Sequence, residues 1–305
     1  MGPPRHGVLV VDKPAGPTSH DIVDRVRRAL GERRVGHTGT LDPFASGVLV
    51  VCVGKATRLA RFLAEGEKVY RATIRLGFAT ATDDLQGAPL GAPSLVHLER
   101  EVLVAAAREL TGDLEQVPPA YSAKRVQGRR LYELARQGTV ATRPPSRVHV
   151  HAFDVLEVRS DEVDVEVRCS PGTYVRALAR DLGEKLGLGG HLVALRRTKS
   201  GGFTPDDAVD GDRLTEGCAE HLRPIAGLLL DFPAVRLTAA GLDAIGHGRE
   251  VTSAQVAEGF PQTHPSPWWR LLGSQGELVA LATPRPSHSS VTLNGITLHP
   301  EIVLI

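Results

Sequence analysis

Asp42 lies in a glycine-rich segment and is the first residue along the chain whose sequence context suggests a catalytic side chain. The segment runs from Gly36 to Gly47, and Pro43 follows the aspartate directly. A residue before proline is biased toward an extended backbone, which favours presentation of the Asp42 side chain. An Asp-Pro pair among glycines is nevertheless more often a turn than a catalyst. The loop by itself therefore leaves a structural and a catalytic interpretation open.

Other catalytic motifs do not fit this region. A P-loop needs GxxxxGK followed by Ser or Thr, but six residues separate Gly47 from Gly54, and Lys55 is followed by Ala56. The chain contains no HExxH sequence for zinc and no GxSxG nucleophile elbow. The sequence therefore predicts no metal site, no P-loop nucleotide site and no serine-hydrolase activity.

A basic segment offers a second kind of chemistry. Between Tyr121 and Arg147, seven basic side chains stand against one acid, Glu133. The cations are Lys124, Arg125, Arg129, Arg130, Arg136, Arg143 and Arg147. Local charge, rather than the net charge of +1, sets the field that a polyanion meets. The segment is a candidate phosphate-binding surface, although a solvated loop would have the same composition.

Length and composition limit the class of protein. A chain of 305 residues, 42% hydrophobic and 23% charged, predicts a large folded domain with a smaller one beside it. The longest apolar runs, such as Val48–Val53, are strand-sized, and the N-terminus lacks the apolar segment of a signal peptide. Cys52, Cys169 and Cys218 form no CxxC pair. We therefore expect a cytoplasmic protein without a membrane segment, a zinc site or a disulfide framework.

The elements that must position Asp42 follow from hydrophobic spacing. Gly7–Val11 predicts a buried strand, and the turn Asp12–Pro17 follows it. Thr18 or Ser19 can cap a helix that continues to about Leu30. A further strand at 48–53 follows the Asp42 loop.

Later segments combine alternating strands with helices. The segment 68–76 places Tyr70, Ala72 and Ile74 on one face, and 163–169 alternates in the same way. Helices are predicted at 98–110 and at about 174–186. Since no regular βαβ rhythm is present, the pattern favours an α+β fold with a mixed, largely antiparallel sheet and flanking helices.

Two interruptions suggest the domain organisation. The basic stretch at about 118–147 lies between Pro118-Pro119 and Pro144-Pro145 and predicts an insertion that projects from the sheet. A boundary near Asp231 divides a domain of residues 1–230 from a small β-rich domain of residues 231–305. The loop from Pro261 to Trp269 matches no pattern.

Seven segments together resemble one enzyme family. The loop Gly36–Gly47, GHTGTLDPFASG, is similar to the signature of the TruB family of pseudouridine synthases. Six further segments match that family in the same order. They are DKPAGPTS from Asp12, GKATR from Gly54, KVYRA from Lys68, PPAYSAK from Pro118, GTYVRALARDLG from Gly172 and LRRT from Leu195. The resemblance implies the pseudouridine synthase fold and isomerisation of uridine 55 in the T loop of tRNA.

The resemblance also implies catalytic roles. Pseudouridine formation breaks the bond from C1′ to N1, turns the base and joins C1′ to C5, so atoms are conserved and no cofactor is needed. Asp42 matches the essential carboxylate and Arg176 the arginine that keeps it ionised. Tyr70 matches the tyrosine that stacks on the base and takes the C5 proton. Whether the carboxylate attacks C1′ or deprotonates C2′ stays open.

Substrate contacts are implied in the same way. His37 matches the histidine that fills the space left by the flipped base, while Tyr174 and Leu195 match residues lining the uracil pocket. The insertion, with Lys124, Arg125, Arg129 and Arg130, corresponds to one that folds over the tRNA T arm. Arg58, Arg61, Arg196, Arg197 and Lys199 are expected to add phosphate contacts. The C-terminal domain resembles the PUA-type domain that binds the acceptor end.

Three hypotheses follow. The first is a monomeric, stand-alone tRNA pseudouridine synthase, which the combination of Asp42, Tyr70 and Arg176 favours. The second is an RNA-binding folding factor whose catalysis is secondary. The third is a guide-RNA-dependent relative, against which the long basic insertion argues.

Overall fold

This computed structural model describes residues 5–97, 99–121, 143–260, 266–286 and 296–305. For residues 125–126, 129–130 and 216 it describes the backbone alone. The described α-helices are α1 (Ser19–Leu30), α2 (Ala60–Ala64), α3 (Arg100–Arg108), α4 (Val175–Lys185) and α5 (Ala239–Gly246). The described strands are β1 (Gly7–Lys13), β2 (Val35–His37), β3 (Ser46–Val53), β4 (Lys68–Leu76), β5 (Ala79–Thr80), β6 (Pro89–Leu90), β7 (Gly112–Gln116), β8 (Arg125–Val126), β9 (Arg129–Arg130), β10 (Ser146–Arg159), β11 (Glu162–Cys169), β12 (Gly190–Ser200), β13 (Val209–Asp210), β14 (Ala234–Leu237), β15 (Val256–Glu258), β16 (Trp269–Leu272), β17 (Leu278–Pro286) and β18 (Ile296–Val303). No helix among the described residues is long and apolar enough to cross a membrane.

A nine-stranded sheet forms the centre of the molecule. Its order is β13–β1–β3–β12–β4–β11–β10–β7, and β2 pairs with β3 outside this path. Within the described part of the chain, β1–β13 and β3–β12 are parallel and the other pairings of this sheet are antiparallel. The predicted α+β fold with a largely antiparallel central sheet is confirmed.

The two faces of the sheet pack against different partners. Leu9 and Leu49 belong to the core that also contains the buried residues of α1 and α4. Their strand neighbours Val8 and Val48 lie in a second core with Leu281 of the C-terminal part. Because both faces are covered, β1 and β3 are continuously apolar instead of alternating. Leu41 belongs to the first core, so the Asp42 loop lies on the face covered by α1 and α4.

The helix before the loop starts and stops as its residue types dictate. The Thr18 hydroxyl accepts a hydrogen bond from Asp21 N at 3.1 Å, and the Asp21 carboxylate accepts one from Thr18 N at 2.8 Å. This capping box satisfies two backbone donors at the helix start. Gly31 ends the helix with a φ of 63°, a left-handed conformation that glycine adopts without strain.

The C-terminal part forms its own sheet. Five strands in the order β15–β14–β16–β17–β18 surround a core that includes Val235, Leu271 and Leu298. Phe62 of α2 packs edge-on against Trp268 with ring centroids 4.8 Å apart, which joins this part to the central domain. The predicted small β-rich C-terminal unit is confirmed.

The insertion connects β7 to β10. The pair of residues in the β7–β10 ladder next to the insertion is Gln116 and Ser146. The β8 and β9 backbones form a two-stranded ladder inside it, pairing Arg125 with Arg130. Lys124 lies outside the described residues, as do the side chains of Arg125, Arg129 and Arg130.

Candidate active site

The Asp42 loop is tied to elements on either side. The Ser19 hydroxyl at the start of α1 donates to Leu41 O at 3.0 Å and accepts from Leu41 N at 2.8 Å. Thr38 N donates to Val50 O at 3.1 Å on the neighbouring strand. These bonds hold the chain before Asp42 in one conformation. The loop is therefore a fixed support for the carboxylate.

Lys13, at the end of β1, holds the other side of the loop. Its side chain is fully buried, and its ammonium donates to Pro14 O at 2.8 Å, Pro43 O at 3.3 Å and Ala45 O at 2.7 Å. Burial lowers the pKa of Lys13 to about 8, while the Asp42 carboxylate acts in the opposite direction. Lys13 thus joins β1 to the carbonyl groups on both sides of Phe44.

Arg176, in the first turn of α4, forms an ion pair with Asp42. Its Nη2 donates to Oδ1 at 3.0 Å, and its Nε lies 2.9 Å from Oδ2 with the N–H outside hydrogen-bond geometry. The Arg176 side chain is only 4% exposed, whereas that of Asp42 is 31% exposed. The carboxylate therefore keeps an open side toward solvent while the cation behind it is enclosed by protein.

A second carboxylate and two carbonyl groups fix the Arg176 guanidinium. Nη1 contacts Asp84 Oδ2 at 3.3 Å and Thr82 O at 3.0 Å, and Nη2 also donates to Tyr121 O at 2.8 Å. Asp84 is itself buried and accepts a hydrogen bond from Gln86 N at 3.0 Å. This planar set of contacts uses the fork geometry that distinguishes arginine from lysine.

Opposing influences act on the acidity of Asp42. Burial is the largest and raises its pKa; the Arg176 cation lowers the pKa, and the Asp84 carboxylate raises it again. The net direction is upward. The expectation that Arg176 lowers the pKa of Asp42 agrees with the arginine's own contribution, but burial outweighs it. A carboxylate with a raised pKa is a stronger base, which suits a group that must attack carbon or remove a proton.

Tyr70 lies in β4 between Arg197 of β12 and Val167 of β11. It is buried and shares its core with Leu195. Burial raises the pKa of Tyr70, Arg197 lowers it, and the Asp42 carboxylate is close enough to raise it further. The phenol is therefore protonated at neutral pH and lies within electrostatic range of Asp42.

Arg197 is buried under the loop and contacts backbone carbonyl groups. It is 2% exposed, and its guanidinium donates to Val48 O at 2.7 Å and to Gly39 O at 3.0 Å. Gly47 pairs with Arg197 across the parallel strands and has a φ of 102°; a Cβ there would lie 2.2 Å from Arg197 O. The expectation that Arg197 binds phosphate is wrong, because its guanidinium is enclosed by the loop that it supports.

The remaining predicted pocket residues lie around this centre. His37 ends β2, is half-buried, and has a pKa lowered chiefly by burial, so its ring is neutral at neutral pH. Tyr174 is the N-cap residue of α4, two positions before Arg176, and is half-buried. The loop, β4, β12 and the start of α4 thus meet at one side of the sheet.

The other cations expected at phosphates have protein partners. Arg196 forms two hydrogen bonds to the Asp12 carboxylate, at 3.0 and 2.7 Å, beside a cavity of about 430 Å³ that neither Asp42 nor Tyr70 lines. Lys199 pairs with Glu67 at 3.4 Å. Arg58 is exposed and contacts Val303 O, and Arg61 lies over the Trp268 ring at 4.9 Å. Among the described residues, no three His, Cys, Asp or Glu side chains gather as a metal site.

Three buried polar residues of this region were not singled out from the sequence: Lys13, Asp84 and Gln116. The one feature of the sequence that could have pointed to Lys13 is its place in the segment DKPAGPTS, which resembles the family. Asp84 and Gln116 had none, because their partners come from α4, roughly 60 to 90 positions later in the chain.

The site geometry can be compared with known proteins. The model for the N-terminal domain of TruB family pseudouridylate synthases matches residues 27–175, and that for the C-terminal domain of tRNA pseudouridylate synthase B matches residues 176–227. The chain is 46% identical to the tRNA pseudouridine synthase B of Thermobifida fusca over 293 residues, covering 93% of this chain and 96% of that protein. It is 42% identical to the tRNA pseudouridine synthase B of Mycobacterium bovis over 300 residues, covering 96% and 98%.

A solved structure supports the same assignment at greater distance. The crystal structure of a Cbf5-Nop10-Gar1 complex contains a chain that matches with a TM-score of 0.72 at 26% identity, covering 98% of this chain and 85% of that one. Fold, sequence identity and the family models agree. The chain belongs to the TruB family of pseudouridine synthases.

Proposed function

We propose that this chain isomerises uridine to pseudouridine at position 55 in the T loop of tRNA, with Asp42 as its catalytic carboxylate. The observation that carries the proposal is the Asp42–Arg176 pair: a carboxylate open on one side and held from behind by an enclosed cation. The relatives that match nearly the whole chain are tRNA pseudouridine synthases, which supports tRNA as the substrate.

Asp42 can begin the reaction in two ways, and both balance. As a nucleophile, it attacks C1′ while the C1′–N1 bond breaks and the uracil leaves as an anion. As a base, it removes the C2′ proton while the uracil leaves, and it returns that proton later. In either route the base turns, C5 bonds to C1′, C5 loses its proton and N1 gains one. In the nucleophilic route the new C1′–C5 bond displaces the Asp42 carboxylate, so the bond between Asp42 and C1′ breaks and the carboxylate is regenerated. The raised pKa of Asp42 favours both routes once the group is ionised.

Arg176 and Tyr70 are the proposed partners of Asp42. Arg176 lowers the pKa of Asp42 against the effect of burial and fixes the direction of its carboxylate. Tyr70, whose pKa the Asp42 carboxylate influences, supplies the aromatic ring proposed to stack on the uracil. Because burial raises its pKa, its phenol is a poor base, so the stacking role is better supported than removal of the C5 proton. Tyr174 and Leu195 complete the proposed uracil pocket.

The target nucleotide must leave the T-loop stack to reach this pocket, at a cost of a few kcal/mol. His37 is proposed to occupy the vacated space. Its lowered pKa supports this role, because a neutral ring stacks between bases without bringing a buried charge with it.

RNA binding is proposed to rest on the insertion and the C-terminal sheet. The basic side chains of the insertion would bind phosphates of the T arm, and the C-terminal PUA-like unit would bind the acceptor end. We further propose that the chain acts in the cytoplasm as a monomer and without a guide RNA. The 46% identity to a tRNA pseudouridine synthase, against 26% to Cbf5, supports independence from a guide. A pure folding factor would not need a half-exposed carboxylate, Asp42, bound to a buried Arg176–Asp84 pair, which favours the enzyme over that alternative.

The test is tritium release from C5-labelled uridine in unmodified tRNA. Asp42→Asn should lower the rate by at least about 10³-fold, while the Kd for tRNA stays within about threefold, because the amide keeps the shape but is neither base nor nucleophile. Asp154→Asn, at an exposed position of β10, is the matched control and should behave as wild type. Normal turnover by Asp42→Asn would contradict the role of Asp42, and an inactive wild type would contradict the function.

The role of the insertion has its own test. Replacing Lys124, Arg125, Arg129 and Arg130 by glutamine should weaken tRNA binding and lower the slope of log Kd against log salt by up to about 3, since each phosphate contact contributes about 0.7 to 0.9. The control replaces Arg71, Arg75, Arg159 and Arg168, which lie on β4, β10 and β11 and pair with acidic side chains. Equal slopes in wild type and insertion variant would mean that the insertion does not bind phosphate.

A further inference from the structure

Gln116 is a buried glutamine outside the catalytic group described so far. It ends β7, is 3% exposed, and its backbone forms the last pair with β10 before the insertion begins. Its side-chain amide makes two hydrogen bonds to a single residue: Oε1 accepts from Tyr174 N at 2.8 Å and Nε2 donates to Tyr174 O at 3.1 Å. The amide thus binds the Tyr174 backbone as a neighbouring β-strand would.

The hydrogen bonds of the Gln116 amide do not by themselves indicate a function, because nearly all buried polar groups in proteins are hydrogen-bonded. The informative feature is the backbone that it holds. Tyr174 has an extended conformation (φ −99°, ψ 109°) at the N-cap of α4, and its side chain makes no capping bond. The two bonds from Gln116 fix this backbone at the residue that turns into α4. They therefore set the direction of the Tyr174 side chain and of the helix turn that carries Arg176.

Neighbouring contacts connect the same two parts of the chain. Arg180, one turn after Arg176, donates to Val117 O at 3.1 Å, and Arg176 donates to Tyr121 O at 2.8 Å. The root of the insertion, residues 116–121, is thus bound to α4 and its N-cap residue at three places. Among these described contacts, the one that Gln116 makes acts on Tyr174. Movement of the insertion root on RNA binding would reach Tyr174 through this amide.

From these contacts we infer that Gln116 is a positioning residue for pseudouridine formation, which fixes Tyr174 against the uracil and links the root of the insertion to the pocket. This inference rests on the proposed function of the chain. Gln116 touches no reacting atom, so its loss should slow the chemical step and leave most of the tRNA affinity unchanged.

The experiment compares Gln116→Leu and Gln116→Glu with wild type in single-turnover tritium release at saturating tRNA. Gln116→Leu loses both bonds, and the rate should fall by about 10- to 100-fold, since a displacement of about 1 Å can cost that much. Gln116→Glu retains the acceptor for Tyr174 N but not the donor, so its loss should be smaller. The Kd for tRNA should stay within about threefold in both variants. Asp154→Asn, at the exposed position of β10 used above, is the control.

Hydrogen exchange of the Tyr174 amide separates positioning from stability. Exchange should be faster in Gln116→Leu than in wild type, with the rest of α4 unchanged, and the rate loss should persist after correction for the folded fraction. A wild-type rate in a folded variant, or a loss explained wholly by unfolded protein, would overturn the inference. If Gln116→Leu does not fold, a wild-type rate in Gln116→Glu would also overturn it. A wild type that releases no tritium would overturn the proposed function, and this inference with it.

Discussion

Two buried arginines, Arg176 and Arg197, support the same loop in different ways. Arg176 contacts the loop through the Asp42 carboxylate and is balanced by a second carboxylate, Asp84. Arg197 contacts it through the carbonyl group of Gly39, and it also bonds to Val48 O of β3 next to the loop. Both are almost completely shielded from solvent. The difference is that Arg176 bonds to the group proposed to react, whereas Arg197 bonds to the backbone that carries it.

The two arginines are therefore expected to have different roles, Arg176 in catalysis and Arg197 in the stability of the loop. A cation on a carboxylate changes how readily the carboxylate binds a proton. Arg197 also lowers the pKa of Tyr70, but its bonds to Gly39 O and Val48 O go to groups that do not titrate. These bonds satisfy carbonyl groups in a region that makes few backbone ladder bonds. Lys13 belongs with Arg197 in this respect, since its three bonds also go to carbonyl groups. We therefore expect replacement of Arg176 to affect turnover most, and replacement of Arg197 or Lys13 to affect stability most.

The largest expected effect is on turnover in Arg176→Lys. A lysine ammonium keeps the charge but cannot reach Asp42, Asp84 and the Tyr121 carbonyl from one planar group, so kcat should fall by about 10³-fold, or roughly 4 kcal/mol. The control is Arg180→Lys on the same helix face, where the partners are Asp83, Asp181 and Val117 O. Tritium release measures both variants. More than a tenth of wild-type kcat in Arg176→Lys would show that the fork geometry is not required.

Arg197→Met should mainly affect stability. Two bonds from a charged donor are lost and two carbonyl groups remain buried, so the free energy of unfolding should fall by roughly 2–4 kcal/mol in urea titration. The kcat of the folded fraction should fall less than in Arg176→Lys. Arg71→Met, at an exposed arginine paired with Glu166, should change stability by less than about 0.5 kcal/mol. The distinction between the arginines would fail if Arg197→Met kept full stability but lost as much kcat as Arg176→Lys.

Much of the fold was predictable because hydrophobic spacing records local structure. The strand predicted at 68–76 is β4 to the residue, and the helix predicted from Thr18 or Ser19 to Leu30 is α1 with Thr18 as its cap. The helices predicted at 98–110 and 174–186 are slightly shorter, as α3 and α4. The order of the strands and the parallel pairing of β3 with β12 were not predicted, because they depend on contacts between segments about 150 residues apart.

The two arginines show why the site was only partly predictable. Leu195, Arg196 and Arg197 follow one another, and their spacing does not tell which arginine faces the loop. The β12–β4 pairing contains irregularities at 192/194 and 197/199, so simple alternation does not hold along the strand. Arg176 was found through the segment around it and not through its partners. Asp84 escaped notice because its meaning depends on the guanidinium that reaches it from α4.

The smallest expected effect is on the pH dependence of the free energy of unfolding. It tests whether Lys13, which bonds to carbonyl groups of the loop, has a structural role. Burial lowers the pKa of Lys13 to about 8, from the ordinary lysine value of 10.5 that the unfolded chain retains. Between these two pH values the unfolded chain binds a proton that the folded chain has lost, so the free energy of unfolding rises with pH. Below pH 8 both states are protonated, and this contribution no longer changes. Lys68 is also buried with a pKa lowered to about 8, so each lysine should add roughly 2 kcal/mol between pH 7.5 and 10.

Urea titrations at pH 7.5 and 10 measure this rise. The buried thiols of Cys52 and Cys169, whose pKa values are raised to about 12 and about 11, act in the opposite direction over this range in every variant. Relative to wild type, Lys13→Met and Lys68→Met should therefore each lose roughly 2 kcal/mol of the change in stability between the two pH values, and the double variant should lose both contributions. The two variants should differ in turnover, because Lys13 bonds to the carbonyl groups of Pro43 and Ala45 beside Asp42. Lys13→Met should therefore lower kcat at pH 7.5 more than Lys68→Met does. The same change in stability with pH in Lys13→Met as in wild type would mean that Lys13 is protonated well above pH 8, and that its bonds to the loop outweigh the cost of its burial.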